Sequence, residues 1–463
     1  MPDRLIDSDA PAIAVDAVAA DRLPAHLAKL DRKAAAWFGA TGFSAAAGEI
    51  ALVPETGAGE GAIASILFGL GRGDDTPSLL PGKLAASLPA GTYRLRDGFA
   101  DPALATLAFA LGAYRFTRYR EDRGAACRLV IPSGVDGEEI ARIADAVNLA
   151  RDLINTGPND LGPAELAAAA ESLAKRHNAT FRQIVGDALI ADNFPLIHAV
   201  GAAASPERAP RLIDIRWGDE SDPKITIVGK GVVFDTGGLD IKPSSGMLLM
   251  KKDMGGAANA LALAHMIMGA GLAVRLRILI PAVENAIAGN AFRPGDVFRS
   301  RKGLTVEIGN TDAEGRLILA DALTLAGEEN PALIVDLATL TGAARTALGP
   351  DVIPIYTADD NLAADLTRHG TAVADPVWRM PLWSNYNSLI ESKIADINNA
   401  GQSPYAGSIT AALFLQRFVP DPARWLHADI FAWNPATRPG RPEGGEAQAI
   451  RALYGLLKER HGP

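Results

Sequence analysis

Residues 307–317 read EIGNTDAEGRL, an apolar strand end followed at once by Asp312, Glu314 and Arg316. Such a grouping serves packing poorly. It suits a site where carboxylates gather around a metal while a fixed cation holds an anion. A second grouping lies upstream, where residues 224–228 run into GKGVVFDTGGLDIKPSSGMLLMKKDMGGAANALALA and set Lys230, Asp235, Lys242 and Asp253 in a glycine-rich frame. Glycine permits positive φ and close backbone approach, as a polar loop needs when it folds tightly around a small site. Each acid taken singly has a plainer reading: Asp253 as a helix N-cap, Asp235 as a turn residue in DTGG, NTDAEGR as a solvated loop ahead of a helix. Taken together, Asp235, Asp253, Asp312 and Glu314 are enough to hold two divalent ions about 3.5–4 Å apart. A lysine among acids is usually a salt bridge. Desolvated beside metals, however, it can lose its proton and become a neutral amine ligand, while another kept charged can stabilise an oxyanion.

These residues need elements to position them. From about residue 160 the chain alternates apolar strands (LIDIRW, KITIVGKGVVF, VRLRILIPAV, LTVEIG, ALIVDLATL) with helices through residues 257–268 and 319–326. That alternation predicts an α/β fold with a central, mostly parallel sheet flanked by helices. Ligands of such sheets bind beyond the carboxyl ends of the strands, which is where several of the charged residues fall. The first 130 or so residues mix Ala-rich helical stretches with short strands at 49–53, 63–68 and 127–131, a smaller N-terminal α/β domain without obvious chemistry. Gly137–Asn155 places Ile140, Ile143, Val147, Ala150 and Ile154 at helical spacing before GPND breaks the helix. The expected organisation is an N-terminal domain over 1–135, a connecting helix over 136–160 and a larger catalytic domain over 161–463.

Composition narrows the function. A formal charge of -9 over 463 residues disfavours a surface built for phosphate backbones, so nucleic acid is not an expected partner. One cysteine, Cys127, excludes an internal disulfide and a cysteine-based zinc cluster and fits a reducing compartment. The N-terminus carries acids where an export signal needs bases, and no run of 18 apolar residues appears, so a cytoplasmic protein with no membrane span is expected. None of the seven histidines lies in an HExxH motif or close in sequence to the acids, and His265 and His427 read as packing or surface residues. With four carboxylates committed to metals, no obvious protein base remains for a water, and an anion fixed by Arg316 would fill that gap.

The segments resemble the leucyl aminopeptidases, the dizinc or dimanganese cytosolic aminopeptidase family. NTDAEGRL is that family's signature, and GKGVVFDTGGLDIKP, MKKDMGGAA, ENAIAGNAFRPGD and DLATLTGA are similar to its other segments in order and separation. The likeness covers most of residues 145–435. It implies a tighter metal site of Lys230, Asp235, Asp253 and Glu314, and a more exchangeable one of Asp235, Asp312 and Glu314 with the Asp312 carbonyl. Asp235 and Glu314 would bridge two Mn²⁺ or Zn²⁺ ions. Lys242 would stay protonated to polarise the peptide carbonyl and hold its oxyanion, and Arg316 would hold a bicarbonate base. Met250, Asn310, Thr339 and Gly342 would bind the substrate, in a pocket suited to leucine or another aliphatic side chain. The resemblance further implies peptide substrates and a homohexamer. Two departures stand out: Gln402, Pro404 and Tyr405 enter a stretch that is glycine-rich in the family, which bears on substrate preference, and Asp240 adds a charge expected to alter the surroundings of Lys242. The competing readings are a two-metal phosphoesterase, which would normally recruit histidines or more phosphate-binding cations, and a DNA-binding or scaffolding role, which the acidic charge opposes.

Overall fold

The structure, a computed structural model, describes all residues except 1–3, 7–9, 31, 56–62, 73–77, 122–125, 402 and 463, so Gln402 lies outside the described residues. The chain forms two compact units. The first comprises Met1–Asn148 and Pro435–Glu443, the second Leu149–Asn434 and Gly444–Pro463. The division falls inside the continuous helix Gly137–Asn155 rather than at its ends, and a late nine-residue stretch returns to the first unit. A linear partition at 135 and 160 does not contain that return, because local periodicity carries no information about contacts made far along the chain.

In the first unit a six-stranded sheet runs in the order Leu5–Ile6, Cys127–Val130, Gly91–Leu95, Ile13–Ala19, Ile63–Gly71, Ile50–Pro54. Only the last pairing is antiparallel. Val15, Phe68, Tyr93, Phe109 and Leu129 fill its core. Helix Pro102–Gly112 starts where its sequence says it should: Asp101 accepts from the Leu104 amide and proline occupies the first turn, where its missing N–H costs nothing. The returning stretch, through Thr437, Pro439 and Gly440, walls a cavity of about 360 Å³ with Leu80, Lys83 and Arg115.

The second unit is built on a nine-stranded sheet. Its centre is parallel: Trp425–Asp429, Leu333–Ala338, Lys224–Gly229 and Arg275–Asn285 lie side by side. Antiparallel strands join toward both edges, Arg211–Trp217 and Thr180–Val185 on one side and Ile353–Tyr356 on the other. The continuous apolar runs of the central strands are explained by burial on both faces. Helix Gly255–Ala270 is buried over almost its whole length, as a helix apolar all round must be. The sheet also splits near its carboxyl end. Gly229 still pairs with Leu337, but Gly231–Asp235 pairs only with the second half of Arg275–Asn285, leaving Lys230 at the parting. Among the described residues no helix is long and apolar enough to cross a membrane.

Candidate active site

The parting of the sheet is where the charged residues meet. Lys230 is 2% exposed, its amide bonded to the Leu337 carbonyl and its Nζ 2.7 Å from Asp253 Oδ2, 3.0 Å from Glu314 Oε1 and 2.8 Å from the Thr339 carbonyl it donates to. Helix Glu314–Glu328 enters directly against this lysine. A Cβ on Gly315 would lie 2.6 Å from Lys230 Cε, so the glycine of AEGR is a requirement of close approach. Asp235 ends its strand with Oδ1 accepting from the Gly237 amide (2.9 Å) and Asn285 Nδ2 (2.8 Å), while Oδ2 faces Lys242 Nζ at 2.9 Å. Lys242 also pairs with Asp312. Oxygens of Asp235, Asp312 and Glu314 all lie within 4.8 Å of one another.

Asp253 is not a helix cap. The helix that follows it is preceded by Met254, whose side chain makes no capping bond, while Asp253 sits in the 3₁₀ turn Met250–Met254 and accepts from Thr339 Oγ1 at 2.8 Å. The buried lysine and threonine offer it stronger partners than the helix end does. Asp240 has its own partner in the signature loop. Its carboxylate accepts from the Thr311 amide at 2.8 Å, and the Thr311 hydroxyl donates to the Gly237 carbonyl at 2.6 Å, so Asp240 ties the 237–242 loop to the signature loop.

The electrostatics follow from burial of four acids with two lysines. Burial, then the nearby Asp235 carboxylate, pushes Glu314 up to about 8 against the pull of Lys230. Burial and Asp235 push Asp312 up to about 6, opposed by Lys242. Burial raises Asp253 too, but Lys230 and Lys252 outweigh it and hold that carboxyl below its usual range. For Lys230 and Lys242 burial favours the neutral amine, and the surrounding carboxylates overcome it and hold both as ammonium ions. Glu314 Oε2 is buried without a hydrogen-bond partner. An acid pushed up to about 8 and a bare carboxylate oxygen within one cluster are what a divalent cation would relieve, so the residues present fit a metal.

Arg316 lies in the first turn of its helix, buried, donating to the Asn399 carbonyl at 2.7 Å, with its guanidinium carbon 5.9 Å from the Phe414 ring centre. Burial lowers its pKa to about 10, and Glu314 and Asp429 oppose that. Thr339 joins the cluster through Lys230 and Asp253, and Asn310 through its side-chain oxygen, 2.7 Å from the Asp312 amide. Met250 opens the turn that carries Asp253, and Gly342 opens helix Gly342–Leu348 with free space where a Cβ would project. His427 is a core residue on Asp336 (2.6 Å), and His265 pairs with His177 (2.7 Å). Pro404 and Tyr405 are exposed.

Two residues escaped the reading of the sequence. Asn285 Nδ2 bonds both Asp235 and the Thr311 carbonyl (3.1 Å), and Asn399 holds the backbone of residues 309–313. Asn285 ends the strand Arg275–Asn285 and Asn399 follows Asn398, and nothing in their spacing links them to the acids.

Residues 148–454 match the cytosol aminopeptidase family, catalytic domain, and residues 13–132 match the M17 aminopeptidase N-terminal domain. The chain belongs to the cytosol aminopeptidase family. A probable cytosol aminopeptidase of Chlorobium limicola is 35% identical over 457 residues, covering 90% of each chain. One of Roseiflexus castenholzii is 41% identical over 367 residues, 75% of this chain and 74% of its relative. The crystal structure of cytosol aminopeptidase from Coxiella burnetii superposes with a TM-score of 0.94 at 46% identity, covering 99% of this chain and all of the other. The bottromycin maturation enzyme BotP, solved in complex with Mn, gives a TM-score of 0.86 at 32% identity, with 97% and 100% coverage. As a family member the chain is a hydrolase that acts as an aminopeptidase, and membership carries divalent metal cofactors.

Proposed function

We propose that this aminopeptidase removes the N-terminal residue of peptides, leucine or another aliphatic residue being preferred, with two divalent ions held between Lys230, Asp235, Asp253, Asp312 and Glu314. The observation that carries this reading is the convergence of the Asp235, Asp312 and Glu314 oxygens within 4.8 Å beside two buried or half-buried lysines. Bound there, divalent ions would supply Lewis acidity to a carbonyl and bring the pKa of a water toward neutrality.

The chain's own groups divide the remaining work. Lys242, held as an ammonium ion by Asp235 and Asp312, is a donor for the oxygen that becomes negative as the carbonyl is attacked. Lys230 has to surrender its proton before it can serve as a ligand, so loading of the site releases protons. Arg316 is bonded to a carbonyl rather than to a carboxylate, which leaves its charge for an anion such as bicarbonate acting as the base. Met250, Asn310, Thr339 and Gly342 frame the side-chain pocket, where the open face of Gly342 leaves room for an aliphatic group. The Mn complex of the related BotP supports manganese, with zinc the other candidate. The single cysteine and the cytosolic names of the relatives support a cytoplasmic enzyme, and the family likeness supports a homohexamer.

Release of leucine from leucinamide with Mn²⁺ or Zn²⁺, before and after chelation, beside Lys242→Ala and Glu314→Ala, tests the proposal. Activity should vanish on chelation and return with metal, and both variants should be crippled. Turnover indifferent to chelation and to both substitutions would refute it.

A further inference from the structure

We propose that Asn399 is the positioning residue of the signature loop, its single carboxamide setting where Asp312 stands. This inference rests on the two-ion reading of the site given above.

Residues 309–313 belong to no strand or helix, so their backbone groups need partners from elsewhere. One side chain supplies four. Asn399 Oδ1 accepts from the Gly309 amide at 2.8 Å and the Asn310 amide at 3.2 Å, and Nδ2 donates to the Asn310 carbonyl at 2.8 Å and the Ala313 carbonyl at 3.2 Å. A primary amide has two donor hydrogens and two acceptor lone pairs, so its hydrogen-bonding capacity is fully used by one short loop. Asn399 has no exposed surface, which makes each of these bonds costly to lose.

The asparagine is itself fixed. Ile397 and Asn398 pair with Val306 and Glu307, and the Asn399 amide continues that ladder to the Glu307 carbonyl at 3.0 Å. The two segments are pressed together so closely that a Cβ on Gly309 would stand 2.4 Å from Asn398 Oδ1. On its other side the Asn399 carbonyl receives Arg316 at 2.7 Å. One residue therefore reaches the loop that carries Asp312, the residue before Glu314, and the guanidinium beyond it. Lys230, Asp235 and Asp253 are held by other partners, through Thr339 and Asn285. Loss of the carboxamide should thus fall on the ion that depends on Asp312 and spare the one held mainly by the other ligands. Groups that orient metal ligands are typically worth about 10–100-fold in affinity.

The test is calorimetric titration of the metal-stripped full chain with Mn²⁺, for wild type, Asn399→Ala and Asn399→Asp. The aspartate keeps the acceptor side and loses the donor side. The expected result is a weaker second binding step, by about 10–100-fold, with the first step changed by less than about threefold. Aminopeptidase activity at saturating Mn²⁺ should largely recover, which a merely misfolded variant could not do. Both steps at wild-type affinity, in variants with wild-type circular dichroism, would overturn the proposal. A measurement on the wild type alone guards against variants that fail to fold. In hydrogen exchange of the metal-stripped chain, the 309–310 amides should exchange at least about tenfold slower than an unstructured loop, and exchange at the unprotected rate would overturn it. Wild type that binds no Mn²⁺ at all would overturn the two-ion reading as well, and so separates that failure from this one.

Discussion

Gly315→Ala is the smallest change that should separate the chemistry of this aminopeptidase from its stability. The added Cβ would stand 2.6 Å from Lys230 Cε, 2.8 Å from Nζ and 2.9 Å from Cδ. Carbon atoms rest at roughly 3.5–4.0 Å, so the lysine stem would have to retreat by about 1 Å. Lysines elsewhere give way easily, but this one is buried and tied to Asp253, Glu314 and the Thr339 carbonyl. The fold gains from alanine in helix Glu314–Glu328, by about 1 kcal/mol in propensity. Overpacking costs about 1–3 kcal/mol, so the net loss of stability is at most about 2 kcal/mol. Function has no such offset. A displacement of about 1 Å at a reacting centre can cost on the order of 100-fold, near 2.7 kcal/mol of transition-state stabilisation. Steady-state hydrolysis of leucinamide at saturating Mn²⁺, beside thermal melting, reads both quantities. Gly289→Ala is the control, because nothing lies within 4 Å of its Cβ. A Gly315→Ala enzyme with wild-type kcat/KM would show that Lys230 need not stand where it does, and the reasoning would fail.

Two further predictions concern pH. Metal affinity should climb between about pH 6 and 8, because below that range a cation has to displace protons from Asp312 and Glu314, whose carboxyls titrate near 6 and 8; a Mn²⁺ dissociation constant flat across that interval would contradict the electrostatics described. In the core, burial depresses the His427 imidazole but the Asp336 carboxylate 2.6 Å away outweighs it and raises the pKa above 6.5. The stability this pair contributes is fully present below pH 6.5 and is lost as pH rises through the folded value, so urea midpoints should fall from roughly pH 6.5 upward and His427→Gln should flatten that slope.

The convergence of these charged residues could be anticipated from residue types because they come in two dense clusters, each just past an apolar strand. The parallel centre of the sheet was legible for a similar reason, since strands such as Leu333–Ala338 are buried on both faces and show it in six consecutive buried residues. Tertiary partners could not be read this way. Asp253 looks like a cap until Lys230 and Thr339 are placed beside it, and nothing in the spacing of Asp240 announces that its carboxylate accepts from the Thr311 amide. Asn399 lies 87 residues from Asp312 in the chain, and the second asparagine of an Asn-Asn pair before Ala-Gly carries no trace of the loop it holds. The antiparallel pairing of Thr180–Val185 with Arg211–Trp217 was invisible to an argument built on alternation, because edge pairing depends on which strand arrives beside which.

The return of Pro435–Glu443 to the first unit has a consequence for how the protein is made. A ribosome finishes Asn148 long before it reaches Pro435, nearly 290 residues later. At about 5–20 residues per second that interval is roughly 15–60 s. Throughout it the nascent first unit lacks one wall of the cavity beside Leu80 and Arg115, and the apolar lining there stays open to solvent and to chaperones. Completion of the N-terminal fold is therefore timed by synthesis of the catalytic half, and fragments ending before residue 435 should associate with chaperones in a way the full-length chain does not.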